Sequence, residues 1–458
     1  MGQGCQTPMR GLGRALVSPR RRSSRGQALA VLLPLLVVLS AALIYVFDSG
    51  QAVAEKQRLV NAADAAALSA ATWQARTLNF ESYMSRAVIA NEAAIAQSVS
   101  LRSWSAYMAR LLPDAAAVTR FIPLLNAATL ALERFWVAFD QTLQPGLSSL
   151  EGLLGLVDHD LAAAQRLADL FALEAVPEAV RATLAANDPR YRVSPGGELL
   201  LARWMAEWIR FTSLYGGAFR WRQGDLLNRS LDGFTTARGV TLSPLLVGAL
   251  VRFEKRGGTE LIDFETWRGL DTFSLHTVGL SLTGRRSERL PLAWGGAEAG
   301  RFAPRRGSYG GSTRTNPRAT RLAYLFTRRS QAYRGLPSLR DLSVAQRERL
   351  AVPQLVVRAT LSAEELSLAR RSLSIASLVD LRGREYQTDA PQSTPALFAV
   401  AAAEARFVRT EARADGAREL PSLFSPYWRA RLMPVPRVEA ALAAAADNAF
   451  EPALELLR

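Results

Sequence analysis

Cysteine is nearly absent: Cys5 stands alone in 458 residues, which excludes an internal disulfide framework and any site built on several thiolates. Two histidines, His159 and His276, leave little for imidazole-based metal or acid–base chemistry. Lysine is equally scarce, with Lys56 and Lys255 the only two among 56 basic residues, so the basic excess is arginine. No glycine-rich phosphate loop, no histidine pair at ligand spacing and no nucleophile elbow occurs. The sequence implies no cofactor and no enzyme. What it does contain is apolar, at 49% of residues, which is too much for general disorder.

The net charge of +15 is not spread evenly. The first 25 residues hold Arg10, Arg14, Arg20, Arg21, Arg22 and Arg25 and no acid. Ala28–Phe47 then runs for twenty residues without a charge. At about 1.5 Å per residue that is roughly 30 Å, the hydrocarbon thickness of a bilayer. The run ends Tyr-Val-Phe-Asp, a poor cleavage site, so it reads as a retained anchor rather than a signal peptide. The arginines, with Arg20, Arg21, Arg22 and Arg25 nearest the span, place the N-terminus in the cytoplasm and the bulk of the chain outside it.

Between Leu35 and Leu112 there is no proline and Gly50 is the only glycine, which predicts that the helix continues out of the membrane. Ala62, Ala66 and Ala70, with Ala63, Ala67 and Ala71, form adjacent i, i+4 ridges of methyl groups. Such ridges let a second helix approach closely; they also suit an ordinary helix, because alanine is the best helix former. Asn61 and Asp64, three apart, project as polar pegs. Asn91 sits within the apolar stripe of Trp73, Phe80, Met84, Ala87, Val88, Ile95 and Val99, where it either fixes register against a partner helix or bonds within a core.

Arg25–Ala28, the apolar span, Phe47–Gln51, Lys56–Leu59 and above all Asn61–Leu68 (NAADAAAL) together resemble the TadE/TadG-like group of Tad (tight-adherence, Flp-type) pilus-assembly proteins. The resemblance covers about Arg21 to Gln97, and Phe264–His276 and Glu419–Val435 are also similar to proteins of this group. It implies a structural component of a Tad/Flp-type pilus or related secretion assembly, packed against other pilus components through the N-terminal helix. Val31 stands where processed pilins have Glu, counting from Gly26, and the Asp-x-Ser-x-Ser metal motif of some longer members does not occur.

The remaining chain reads as α+β, an enlarged pilin-like arrangement. Its divisions are a basic cytoplasmic tail (1–25), a transmembrane helix (26–47), the alanine-rich extension (48–112), a helical region (113–225), a strand-containing exported domain (226–436) and a C-terminal helix (437–458). Breaks in the helical region are expected at Pro145-Gly146, Pro177 and Pro195-Gly196-Gly197, and Ala396–Glu404 is expected to be a short helix. Trp204, Trp208, Phe211 and Tyr215 form a stripe that suits a core or a membrane surface. Residues 284–321 carry nine arginines and two glutamates and read as a flexible basic loop. Arg285, Arg286, Arg305 and Arg306 are its candidates for an anionic envelope surface, with a solvated loop as the default. Nucleic acid is not an expected partner, since no aromatic interleaving accompanies the charge. Asp271, Ser274 and His276 are close in sequence but lack the mutual support a catalytic triad needs. The expected setting is a bacterial inner membrane with the C-terminal bulk periplasmic or extracellular. A single-pass envelope sensor or adhesin with an exported ligand-binding domain is the alternative.

Overall fold

The computed structural model describes residues 27–214, 220–243, 251–278, 286–300, 316–343, 353–362, 397–417 and 419–455. By internal contacts the chain divides into two units, residues 1–58 with 362–397, and residues 59–361 with 398–458. In the first, the described part is the opening of helix α1, whose Leu29–Phe47 stretch is exposed apart from the half-buried Ile44.

α1 runs Gln27–Thr119 without interruption. It therefore passes Pro113, beyond the expected end at Leu112. α2 (Pro123–Asn187) likewise continues through Pro145 and Pro177, which were expected to divide it. A proline removes one backbone hydrogen bond, and here packing along α1 outweighs that loss. The two helices are antiparallel, for Asn91 Nδ2 donates to Asp158 at 2.8 Å, Ser98 Oγ to Glu151 at 2.8 Å and Gln144 Nε2 to the Arg102 carbonyl at 3.0 Å. At the turn Thr119 and Thr129 bond through their hydroxyls at 2.7 Å. Extending this register carries the buried Val180 and Leu184 alongside the stretch of Ala66 and Ala70.

Next come β1 (Arg192–Val193), α3 (Pro195–Phe211), β2 (Thr212–Leu214), α4 (Arg220–Ser230), α5 (Gly233–Thr236) and β3 (Val240–Leu242). β4 (Val251–Ile262), β5 (Thr266–Val278) and β6 (Arg286–Gly300) are long antiparallel partners. α6 (Pro317–Leu325), β7 (Arg328–Ser330), β8 (Arg340–Leu342), β9 (Leu355–Leu361), β10 (Leu397–Phe407), β11 (Trp428–Met433) and α7 (Arg437–Glu455) complete the described elements. Three sheets result: β3-β4-β5-β6-β7, with β7 parallel to β6; β1-β9-β10-β11; and the pair β2-β8. The architecture is α+β, as the sequence implied.

α1 lies directly on the five-stranded sheet. Gly269 of β5 and Gly295 of β6 make this possible: a methyl on Gly269 would press on the Val99 carbonyl at 3.1 Å, and one on Gly295 would overlap the Ser103 carbonyl and the Tyr107 nitrogen. The opposite face carries α6, with Leu270 and Ala323 as its core. Glu288 accepts the Arg318 and Ala319 amides at 2.5 and 2.9 Å, putting a carboxylate on the N-terminus of α6, where the helix dipole favours it. In the four-stranded sheet, Val356 and Ala402 pack with Leu200 of α3 and Ala443 of α7. The expected break falls just before Pro195, between the end of α2 at Asn187 and the start of α3, so Gly196 and Gly197 are inside the new helix. They lie in the first turn of α3 below its cap Ser194, pressed against the Ala443 and Arg358 carbonyls.

Two expectations are corrected here. Ala396–Glu404 is not a helix: Leu397–Phe407 is strand β10, its alanines buried within a sheet, so partner strands overrode alanine's helix propensity. Within the expected basic loop 284–321, Arg286–Gly300 is a strand of the sheet and Pro317 opens a helix that runs to Leu325, while residues 284–285 and 301–315 lie outside the described residues. Glu298 of that strand is fully buried, bonded to Arg268 at 2.6 Å and to Arg329 at 2.8 Å. The stripe of Trp204, Trp208 and Phe211 is core, fully buried, and Tyr215 lies outside the described residues.

Candidate assembly surface

The seam between α1 and the rest of the body is polar to an unusual degree. Arg102, 2% exposed, bonds Glu151 at 2.7 Å and Gln144 at 2.9 Å, and donates to the Glu298 and Arg328 carbonyls. Asp271 accepts from Ser103 at 2.7 Å and Arg238 at 3.0 Å, and pairs with Lys255. Glu92 accepts from the Trp267 indole at 2.7 Å and the Tyr333 hydroxyl at 2.8 Å. Burial pushes the Glu92 carboxyl up to about 8, against the pull of those two bonds, and pushes Asp158 up to about 7, against Asn91. Burial also lowers the Lys255 ammonium and raises the Glu81 carboxyl well above its usual range. Buried pairs of this kind fix one arrangement more than they add stability.

The consequence falls on α2. Its inward face is charged and polar: Asp140, Gln144, Glu151, Asp158, Gln165 and Asp169 are all buried. Its outward face is apolar but for the exposed Asp160: Leu132, Phe135, Phe139, Leu150, Leu153, Leu156, Val157, Leu167 and Phe171 are all exposed. At 100° per residue these nine fall within about a third of the helical circumference, opposite the buried carboxylates. Phe135 and Phe139 stack on each other in the open at 5.8 Å. A solvated helix has the reverse pattern. An apolar stripe of this length on a monomer marks a surface meant to be covered.

The residues singled out from sequence are placed differently. Ala62, Ala63, Ala66, Ala67 and Ala70 are fully buried within the chain's own body, so the methyl ridges are intramolecular and not open to another subunit. Asn91 is committed to Asp158. Asn61 is exposed and Asp64 half-buried at the same level of α1. Arg286 opens β6, while Arg285, Arg305 and Arg306, like Arg20, Arg21, Arg22 and Arg25, lie outside the described residues. Asp271 does not share a face with the other two members of its group. It points to α1 and Ser103, whereas Ser274 donates to Glu288 at 2.7 Å and His276 bonds Asn316 at 2.7 Å beside α6. Among the described residues no three of His, Cys, Asp and Glu are grouped so as to hold a metal. The α2 stripe was not singled out; its signal was the run of leucines and phenylalanines between 132 and 171.

Among the described residues one helix, α1, is long and apolar enough to cross a membrane, by length and composition. Residues 26–74, which comprise that apolar stretch and the alanine ridges, match the family model described as Putative Flp pilus-assembly TadE/G-like. The chain carries a TadE/G-like segment. No curated protein and no solved structure matches the chain. The TadE/G-like segment thus ends at Gln74, whose side chain donates to the Pro353 carbonyl at 3.0 Å, and the α2 stripe lies outside it.

Proposed function

We propose that the protein is a membrane-anchored, non-enzymatic component of a Tad/Flp-type pilus or a related secretion assembly. The observation that carries this reading is the TadE/G-like match over residues 26–74, on a helix whose most apolar window is wholly exposed. The anchor is Ala28–Phe47, the arginine tail stays in the cytoplasm by the positive-inside rule, and the body lies across the inner membrane. The body engages other components by helix packing. The alanine ridges are consumed inside the fold of residues 59–361 and 398–458, and the outer face of α2 takes the role first expected of them. Reporter fusions at residues 20, 60 and 240 test the topology; a cytoplasmic signal at 60 or 240 refutes it. Deleting the gene should abolish pilus formation or the co-purification of its other components, and an unchanged pilus refutes the assembly role.

A second reading, an envelope sensor or adhesin, draws on one observation. A cleft of about 710 Å³ beside the β10–β11 connection is lined by Phe211, Phe407, Trp428, Arg406 and Arg431 among others. On that reading, loss of the gene leaves pili intact and removes a ligand response.

A further inference from the structure

The outer face of α2 is close to a palindrome. Leu150 and Leu156 lie three residues to either side of Leu153, Phe139 and Leu167 fourteen, and Phe135 and Phe171 eighteen. Of the residues between them, Thr142 and Ala164 are eleven away, while Gly146, where an added methyl would meet no atom within 4 Å, is seven away opposite the exposed Asp160, which departs from the symmetry. The exposed charges nearest the two ends are opposite in sign, Arg134 beyond Phe135 and Glu174 beyond Phe171.

We propose that this face is an antiparallel interface with a second copy of the chain, its twofold axis passing at Leu153. In such an isologous contact residue i meets j and j meets i, so a palindromic stripe pairs like with like. Phenylalanine meets phenylalanine at both ends, leucine meets leucine at the centre, and Arg134 of each copy meets Glu174 of the other. A parallel pairing would instead set Arg134 against Arg134. Asp140 and Glu151 of α2 are turned inward to Arg328 and Arg102, so the one exposed charge within the stripe between Phe135 and Phe171 is Asp160, which falls opposite Gly146 of the second copy. The area is sufficient. With roughly 200 Å² per large side chain and about half of each exposed, the nine residues offer on the order of 900 Å² per copy. A stable interface takes about 800 Å² from each partner.

The inference rests on the helix-packing reading above and names its partner. The test is cysteine crosslinking of the full chain in native membranes, with Cys5 replaced by serine. Leu153→Cys should give a disulfide-linked dimer, because a residue on a twofold axis meets its own copy. Arg166→Cys, exposed but off the stripe, should not. Two differently tagged copies, one Phe135→Cys and the other Phe171→Cys, should link to each other, while Phe135→Cys alone should not link to itself, the two sites being about 54 Å apart along an antiparallel pair. In detergent, Leu153→Asp should weaken dimerisation at least tenfold while the monomer keeps the fold and thermal midpoint of the parent monomer at dilutions where neither dimerises, since the residue is 59% exposed in the single chain. Self-linking of Phe135→Cys overturns the antiparallel arrangement. A Leu153→Cys chain that stays monomeric overturns self-pairing altogether, whether lipid or another protein covers the face. If that monomer still co-purifies with pilus components, the assembly reading stands without it; if the dimer forms and no pilus component follows, the reverse holds.

Discussion

Glu92 should make this protein lose stability as pH rises through neutrality. The carboxyl is buried on α1 and burial holds it near 8, so at pH 6 it is protonated in the folded chain and ionised in the unfolded one. A raised folded-state value means that the contribution is fully present below the ordinary carboxylate range, about 4.5, and is lost as pH climbs to about 8. Each unit is worth about 1.4 kcal/mol, so the whole interval sets an upper limit of about 5 kcal/mol, and the stretch from pH 6 to pH 8 about half of that. Asp158, raised to about 7, adds in the same direction. Glu92→Gln keeps the size of the side chain and cannot ionise. Its thermal midpoint should fall much less between pH 6 and pH 8 than that of the parent chain. At ~2–4 °C per kcal/mol for a large domain, the difference amounts to several degrees. If Glu92→Gln and the parent chain show the same slope, Glu92 is not the titrating group and the account of its burial is wrong.

Two further substitutions test how α1 is held. Gly295→Ala forces a methyl into the α1 backbone at Ser103 and Tyr107, and should cost about 3 kcal/mol or more as overpacking against a rigid helix, read as a lower denaturation midpoint. An unchanged midpoint would mean that α1 does not lie on β6 as described. Arg102→Leu strands Glu151 without its cation and should cost about 3–5 kcal/mol by urea unfolding. The double variant Arg102→Leu, Glu151→Leu should recover much of that, and no recovery would argue against the pair.

Much of the architecture was legible because local rules and tertiary packing agree there. The charge-free run Ala28–Phe47 and the absence of proline over the following sixty-odd residues both lead to the helix found in the fold. Pro145 and Pro177 misled, because a helix clamped along its length by Asn91–Asp158, Ser98–Glu151 and Arg102–Gln144 tolerates a missing backbone bond. The alanine run of β10 misled because helix propensity is a weak prior beside two flanking strands. The arginines of 284–321 misled through their number: Glu288 and Glu298, the only acids among them, are both buried and organise the strand and helix around them.

The sequence by itself determined the apolar span, the arginine excess on one side of it and the TadE/G-like segment, since each is written in contiguous residues and needs no partner to be read. Only the tertiary structure decided which faces are inside. A hydrophobic pattern on α2 would turn its leucines and phenylalanines inward. Arg102, Arg328 and Arg340, brought from distant parts of the chain, instead bind Glu151, Asp140 and Asp169 and turn the carboxylates in. A helix has only one face to give to its own core. Because the buried ion pairs took that face, the apolar stripe is left outside, and the alanine ridges once expected to meet a neighbour are spent within.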